Sequence, residues 1–322
     1  MSQSMMALMV TEWGRKAELR EIARPTITAD EVLVQVGYSG VSVGTEMWIA
    51  SGKRKDCGEV PFVNGYQATG RIVEVGAKVT NVAVGDQVAA FCAGYASHAE
   101  YVKTPAQFVH KLPNPDIAKW ASLFVQPCVG ANAINQAEIG MGDTVLVIGQ
   151  GLIGQATAQL ARLRGAHVIA SDVSPERLAV SARHCADWTI DVSKLSLVEE
   201  IKKRYPDGVD VVIETTGFAK LLDDAFRCVK SHGRFVFEGW YPDAVSFTFQ
   251  LAHSKQVRAF FPCFIGSPPV REGVLQLMAS GNLQIEPLIS HCVSWKQSAE
   301  VYNLLFTPER NRLNGVVFDW SH

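Results

Sequence analysis

The stretch Thr144-Val-Leu-Val-Ile-Gly-Gln-Gly-Leu-Ile-Gly154 constrains this chain more than any other feature. A five-residue apolar strand, Thr144–Ile148, runs straight into glycines spaced G-x-G-x-x-G, and an amphipathic helix over Ile153–Arg164 opens behind them. In that setting Gly149 permits the tight turn, Gly151 lets the backbone approach a pyrophosphate, and Gly154 allows close helix–strand packing. The start of the helix, with Leu152 and Ile153, offers unpaired N–H groups and a positive dipole end to phosphates. The next strand ends in Ser171-Asp172, about 20 residues on, where a carboxylate accepts hydrogen bonds from the adenosine ribose hydroxyls and repels a 2′-phosphate. That favours NAD over NADP as cofactor. Asp172 has a second reading, as a cap for the helix that begins at Ser174-Pro175, and Arg177 at the same edge would tolerate a 2′-phosphate. Thr215 and Gly239 complete the expected cofactor-binding set.

Around this motif the chain reads as two textures. From Met5 to about Val125 it shows short β-rich runs with frequent glycine: Ala7–Val10, Glu31–Ser39, Thr69–Val75, Gln87–Ala90 and His98–Val102. This half reads as an antiparallel sheet domain. From Gly142 onward, strands (Thr144–Ile148, His167–Ser171, Val209–Glu214, Gly233–Phe237) alternate with helices (Ile153–Arg164, Pro175–His184, Lys220–Val229), the pattern of a parallel sheet covered on both faces. Gln256–Cys263 is a further candidate strand, a helix is expected from Ser267-Pro-Pro to about Ser280, and a strand near Leu288–Val293. The tail Val301–Trp320 mixes a short helix with a last strand that packs back on the first domain.

Composition narrows the function. With 322 residues, 48% apolar and 19% charged, and 30 basic against 32 acidic side chains, the chain has the make-up of an ordinary globular protein. Nothing in that balance suggests a nucleic-acid partner. Its apolar runs fall well short of the ~20 residues that cross a bilayer, and no signal peptide is recognised, so no membrane partner is expected and the expected location is the cytoplasm. Seven cysteines (57, 92, 128, 185, 228, 263, 292) are scattered singly, which fits reduced thiols rather than a disulfide framework or a zinc knot.

Four segments resemble the medium-chain dehydrogenase/reductase superfamily, the alcohol- and sorbitol-dehydrogenase-like enzymes, over essentially the whole chain. Gly40-Val-Ser-Val-Gly-Thr-Glu46 is similar to that family's G-x-x-C-G-T-D, and Pro61–Gly76 to its GHE-x-x-G-x-V-x-x-VG. His98-Ala-Glu-Tyr-Val102 is similar to its F-A-E-Y strand, and Gln126-Pro127 stands where the family has E-P. The resemblance implies an α/β protein with a GroES-like β-rich catalytic domain (1–125), a Rossmann doubly wound parallel-sheet domain (126–265), and a return to the catalytic domain (266–322). It also implies a zinc site, and here the sequence departs from the family. The matching positions hold Val43, Tyr66, Gln67 and Gln126, which lack the charge or softness zinc requires, and the four-cysteine structural lobe is missing. A zinc-free member is expected. The S-x-G-T-E spelling resembles a zinc-free branch that includes bacteriochlorophyllide hydroxyethyl dehydrogenases and glycoside and aminosugar dehydrogenases, and Ile213-Glu-Thr-Thr-Gly-Phe-Ala219 resembles the sugar and polyol side.

Oxidising an alcohol without a metal requires side chains that take the hydroxyl proton. Tyr66, at a vacated ligand position, is the first candidate, with Thr45 as relay and Glu46 orienting or buffering; Glu46 pairing with a buried arginine is the alternative. His98 is a candidate general base, and the neutral reading is a histidine that only packs. Gln67, Gln126, Trp48 and Tyr95 are the candidate substrate-binding residues, with Trp240 and Tyr241 as further aromatic wall or as packing. The expected partner is a small alcohol or ketone. Rival readings are an NADPH-dependent quinone or enoyl reductase and a dinucleotide-binding protein without turnover. The apolar run Val257–Cys263, expected at a sheet edge, points to a homodimer or homotetramer.

Overall fold

The computed structural model describes residues 4–54, 59–92 and 97–321. They divide into two compact units. The first comprises 1–125, 271–280 and 289–322, and the second 126–270 and 281–288.

In the first unit, glycine-punctuated β-branched runs pair as antiparallel strands. These are β1 (Ser4–Glu12), β2 (Lys16–Ala23), β3 (Glu31–Val41), β4 (Phe62–Val63), β5 (Gln67–Val75), β6 (Gln87–Phe91), β7 (Tyr101–Pro105) and β8 (Val109–Lys111). Helix α1 (Val43–Ala50) follows β3 directly, and the short α2 (Ala118–Ala121) precedes α3 (Val125–Gln136), which carries the chain into the second unit. β7 starts three residues later than the sequence suggests. His98 lies outside it, beside an isolated bridge between Ala99 and Ala7.

The second unit holds six parallel strands: β9 (Thr144–Ile148), β10 (His167–Asp172), β11 (Trp188–Asp191), β12 (Val209–Glu214), β13 (Val229–Phe237) and β14 (Arg258–Phe260). Their order is β11-β10-β9-β12-β13-β14, so the chain reverses direction of winding between β9 and β12. Helices α4 (Leu152–Leu163), α5 (Pro175–His184), α6 (Leu197–Arg204), α7 (Leu222–Cys228) and α8 (Phe249–His253) alternate with the strands. Continuous buried runs such as Val145–Val147 and Val211–Ile213 show why these strands carry no polar alternation: both faces are covered. The pair β11 and α6 escapes the sequence reading because Trp188–Asp191 is too short to stand out.

The chain then gives α9 (Pro268–Ala279), β15 (Ile289–Ser294), α10 (Ser298–Asn303) and β16 (Gly315–Asp319). β16 pairs antiparallel with β3, Val317 opposite Gly40, so the tail does close the first unit's sheet. The boundary expected at 265/266 is displaced. Residues 266–270 and 281–288 belong to the second unit, the latter tied to α4 by a reciprocal pair: Gln159 Nε2 donates to Gln284 O at 2.9 Å and Gln284 N to Gln159 Oε1 at 2.8 Å. The six described cysteines are free thiols, four of them buried, and burial pushes the thiols of Cys185 and Cys228 up to about 12.

Candidate active site

The glycine-rich turn has the geometry that its spacing suggests. Gly149 stands at φ +92°, a conformation that L side chains rarely adopt, and a Cβ there would meet Thr216 Cγ2 at 2.6 Å. A Cβ on Gly154 would lie 2.0 Å from Gly149 O, so helix and strand can approach this closely only with glycine. Gly151, the N-cap of α4, is different: a Cβ there would meet nothing within 4 Å. The packing of the fold does not demand that glycine. Leu152 and Ile153 form the first turn of α4, whose N–H groups have no partners inside the helix.

Asp172 ends β10, buried at 8% exposure, with its carboxylate turned toward the same turn. Oδ2 accepts from Gln150 N at 2.6 Å and Oδ1 from Ser174 N at 2.8 Å. The capping reading is corrected: the N-cap of α5 is Ser174, which accepts from Arg177 N, and Asp172 instead holds the backbone of Gln150 and Ser174. Each oxygen keeps lone-pair capacity for a ribose hydroxyl. Half-buried Arg177 lies in the first turn of that helix. Thr215 caps the glycine turn from β12, its hydroxyl donating to Ile148 O and Gly149 O at 2.9 and 3.1 Å. Gly239 follows β13 where a Cβ would collide with Gly217 N at 2.3 Å. These residues can hold a dinucleotide.

Sequence reasoning missed the acids beside them. Glu214, fully buried at the end of β12, accepts from Thr216 N at 2.7 Å, Thr216 Oγ1, Gly217 N at 3.1 Å and the Tyr241 hydroxyl. Tyr241 is thereby anchored inward, with burial and Glu214 raising its phenol above the ordinary value. Trp240 is 38% exposed.

In the first unit the structure joins two candidates that are 52 positions apart. His98 Nε2 lies 2.9 Å from Glu46 Oε2, both side chains fully buried. The alternative reading of Glu46 is corrected in its partner: the buried group it meets is this histidine, not an arginine. The other ring nitrogen, Nδ1, bonds Ser39 Oγ at 2.8 Å, and Trp320 Nε1 donates to that oxygen at 2.9 Å. Glu46 Oε1 accepts from Ser42 N at 2.8 Å. The Tyr302 hydroxyl also bonds Glu46, and Asn64 Nδ2 donates to Tyr302 at 2.8 Å. Burial and the Glu46 charge raise the Tyr302 phenol well above its ordinary value.

This sealed network backs the loop 64–67. His98 N donates to Asn64 O and Ser97 N to Gly65 O, both at 3.3 Å, and Gln67 N donates to Ser97 Oγ at 3.2 Å. Gly65 is at φ +91°, and a Cβ there would meet Ser97 Oγ at 2.4 Å and His98 Nε2 at 2.7 Å. So His98 lies directly behind the loop that presents Tyr66, with both ring nitrogens engaged. Tyr66 is half-buried, its ring edge-on to Phe91 at 6.1 Å. Thr45 and Trp48 are half-buried on α1, and Lys53 Nζ sits 4.8 Å from the Trp48 ring centroid. Gln67 is fully buried and its Oε1 accepts from Val125 N at 3.1 Å. Gln126, also buried, opens the second unit on α3. Tyr95 lies outside the described residues.

These positions do not fit zinc. Gln67 offers only a neutral amide whose oxygen already accepts a backbone N–H, Tyr66 is a phenol packed on Phe91, and the Val43 side chain has no donor atom. Among the described residues no three His, Cys, Asp or Glu side chains are grouped to hold a metal. Nor is any helix among them long and apolar enough to cross a membrane.

Two family models match: an alcohol dehydrogenase GroES-like domain over residues 28–114 and a zinc-binding dehydrogenase domain over 153–280. A D-guloside 3-dehydrogenase of Escherichia coli is 30% identical over 276 residues, covering 80% of this chain and 78% of that protein. The chain belongs to the medium-chain dehydrogenase/reductase superfamily. As a member it is an NAD(P)-dependent oxidoreductase acting on CH–OH donors. An L-threonine 3-dehydrogenase of Pyrococcus horikoshii is 28% identical over 324 residues, covering 90% of this chain and 92% of its own. Among solved structures, a putative zinc-binding dehydrogenase of Sinorhizobium meliloti bound to NADP superposes with TM-score 0.87 at 25% identity, over 99% of this chain and 100% of that one.

Proposed function

We propose that this chain is a zinc-independent, NAD-dependent dehydrogenase that reversibly oxidises a secondary hydroxyl of a sugar, aminosugar, polyol or related alcohol. The observation that carries this reading is the pairing of an intact dinucleotide cradle with a ligand-less first unit. There, polar groups able to handle a proton stand where the family's metal ligands would be. The similarity to a D-guloside 3-dehydrogenase supports the sugar side.

Gly149, Gly151, Leu152, Ile153, Gly154, Asp172, Thr215 and Gly239 would hold the cofactor, which when bound supplies the hydride acceptor. Asp172 orients the adenosine ribose and, as a buried anion, disfavours a 2′-phosphate carrying about −2 charge. Tyr66 exchanges the proton at the substrate oxygen and Thr45 relays it, with Trp48 against the apolar face of the substrate. Glu46 and His98 act behind Tyr66, fixing the loop rather than touching the substrate.

A homodimer is part of this proposal. β14 is the last strand of its sheet, and Phe261 beyond it is 69% exposed, an apolar edge that invites a second copy. The deciding experiment is a panel of sugars, aminosugars, polyols and simple alcohols assayed with NAD and NADP in parallel. NAD reduction by a sugar or polyol supports the reading. Turnover confined to NADPH with quinones or enones would replace it with the reductase alternative.

A further inference from the structure

The middle position of the glycine turn holds a glutamine whose side chain is turned inward. The glycine spacing asks nothing of that position. Yet Gln150 is fully buried, with both ends of its amide engaged. Its Nε2 donates to Gly149 O at 2.9 Å and to Val147 O at 3.2 Å, and its Oε1 accepts from Ser181 Oγ on α5 at 2.8 Å. Ser181 Oγ in turn accepts from Gln155 Nε2 on α4 at 3.3 Å, and the same nitrogen donates to Arg177 O at 3.3 Å. Gln155 and Ser181 are fully buried as well.

These bonds converge on one peptide group, the one that joins Gly149 to Gln150. It lies between β9 and α4, outside both ladders, and three side chains hold it. Its carbonyl accepts from Thr215 Oγ1 at 3.1 Å besides Gln150 Nε2, and its N–H donates to Asp172 Oδ2 at 2.6 Å. A buried amide adds little stability over an apolar side chain of the same shape, whereas a fully satisfied network fixes geometry. What is fixed here is Asp172. Its Oδ2 rests on Gln150 N and its Oδ1 on Ser174 N, so the carboxylate cannot turn away from a group that approaches it.

We propose that Gln150, oriented by Ser181, is a positioning residue for the choice of cofactor: it holds the N–H that pins Asp172, and the pinned carboxylate is what turns away a 2′-phosphate. This inference rests on the reading of Asp172 as the acid that binds the adenosine ribose. Two ribose hydroxyls meet a carboxylate whose oxygens are already aimed, and a phosphate in place of one of them meets a charge that cannot yield. Released at Oδ2, the carboxylate rotates, loses its aim at the hydroxyls and gives way to the phosphate. Both changes lower the discrimination.

The test is the dissociation constants of the full chain for NADH and NADPH by fluorescence titration, expressed as Kd(NADPH)/Kd(NADH). Both are read on one preparation, so a partial loss of folded protein leaves the ratio unaffected. Gln150→Met keeps the length of the side chain and removes its amide, and the ratio should fall about fivefold or more, the factor carried by one lost hydrogen bond. Ser181→Ala, which leaves the turn's own residues in place, should lower it about threefold. A role in stability alone would lower Tm and weaken both nucleotides together, with the ratio unchanged. Asp172→Asn should abolish the preference, and Gln150→Met added to it should change the ratio no further, because the effect runs through the carboxylate. A wild-type ratio in either single variant, or a further fall in the double variant, overturns the inference and leaves the NAD reading standing. Equal constants in the wild type overturn the NAD reading and this inference with it.

Discussion

The two units treat their polar groups in opposite ways. Around Glu46 and His98 the donors and acceptors are spent on one another: Trp320 on Ser39, Ser39 on His98, His98 and Tyr302 on Glu46, and Asn64 on Tyr302. Around the glycine turn the first N–H groups of α4 and the space beside Gly151 are left for something else. A satisfied network fixes geometry, and an unsatisfied one binds. In the proposed function the first unit's polar centre positions the loop carrying Tyr66, and the second unit's turn takes the dinucleotide.

The sharpest way to break that comparison is at Tyr66 itself. Tyr66→Phe removes the hydroxyl and keeps the packing on Phe91, so turnover should fall by about 10²–10⁴-fold while the NAD dissociation constant stays near its wild-type value. The turn can then be tested from inside. Gly151→Ala should leave the Tm of the free protein unchanged and weaken NAD binding on the order of tenfold, because its methyl meets only the space that a pyrophosphate would use. Gly154→Ala, whose Cβ collides with Gly149 O, should lower both Tm and affinity. If the two glycine variants behave alike, the turn is not the open feature described.

The satisfied centre predicts a different response. His98→Phe restores the residue type of the resembling family, yet strips Glu46 and Ser39 of a buried partner. It should destabilise the fold by about 2 kcal/mol in thermal or urea unfolding. Turnover should fall less than in Tyr66→Phe, since the histidine acts through the loop.

The smallest expected effect lies outside both centres. Burial, with the Arg271 charge adding, pushes His110 down to about 4 against an ordinary value of 6.5, while Glu272 opposes the fall. Unfolding lets this histidine take up a proton between those values. Its contribution to stability is therefore whole above about pH 6.5 and is lost as pH falls through 4. His110→Phe should flatten the acid side of the Tm profile by a few degrees, about 3 °C between pH 7 and 4.5.

The same contrast decides how much of the molecule can be read from its residues. The glycine turn, β9, α5 and β12 are legible because their causes are local: backbone clashes fix the glycine spacing, and a buried parallel strand must be apolar on both faces. The Glu46–His98 centre draws on β3, α1, the loop at 64, α10 and the final Trp320, so no window of sequence contains it. Glu46 and His98 each stand out alone, Glu46 by its place in a motif and His98 by departing from one. That they meet at 2.9 Å depends on the topology that brings the segment at 98 under Gly65.

The proposed function requires chemistry done by the chain's own side chains rather than by zinc. The most direct measurement is turnover on the substrate found in the panel, before and after exhaustive chelation, with zinc content determined on the same samples. Turnover should be unchanged, with zinc well below one per chain throughout. Loss of activity on chelation, restored by stoichiometric zinc, would contradict the account.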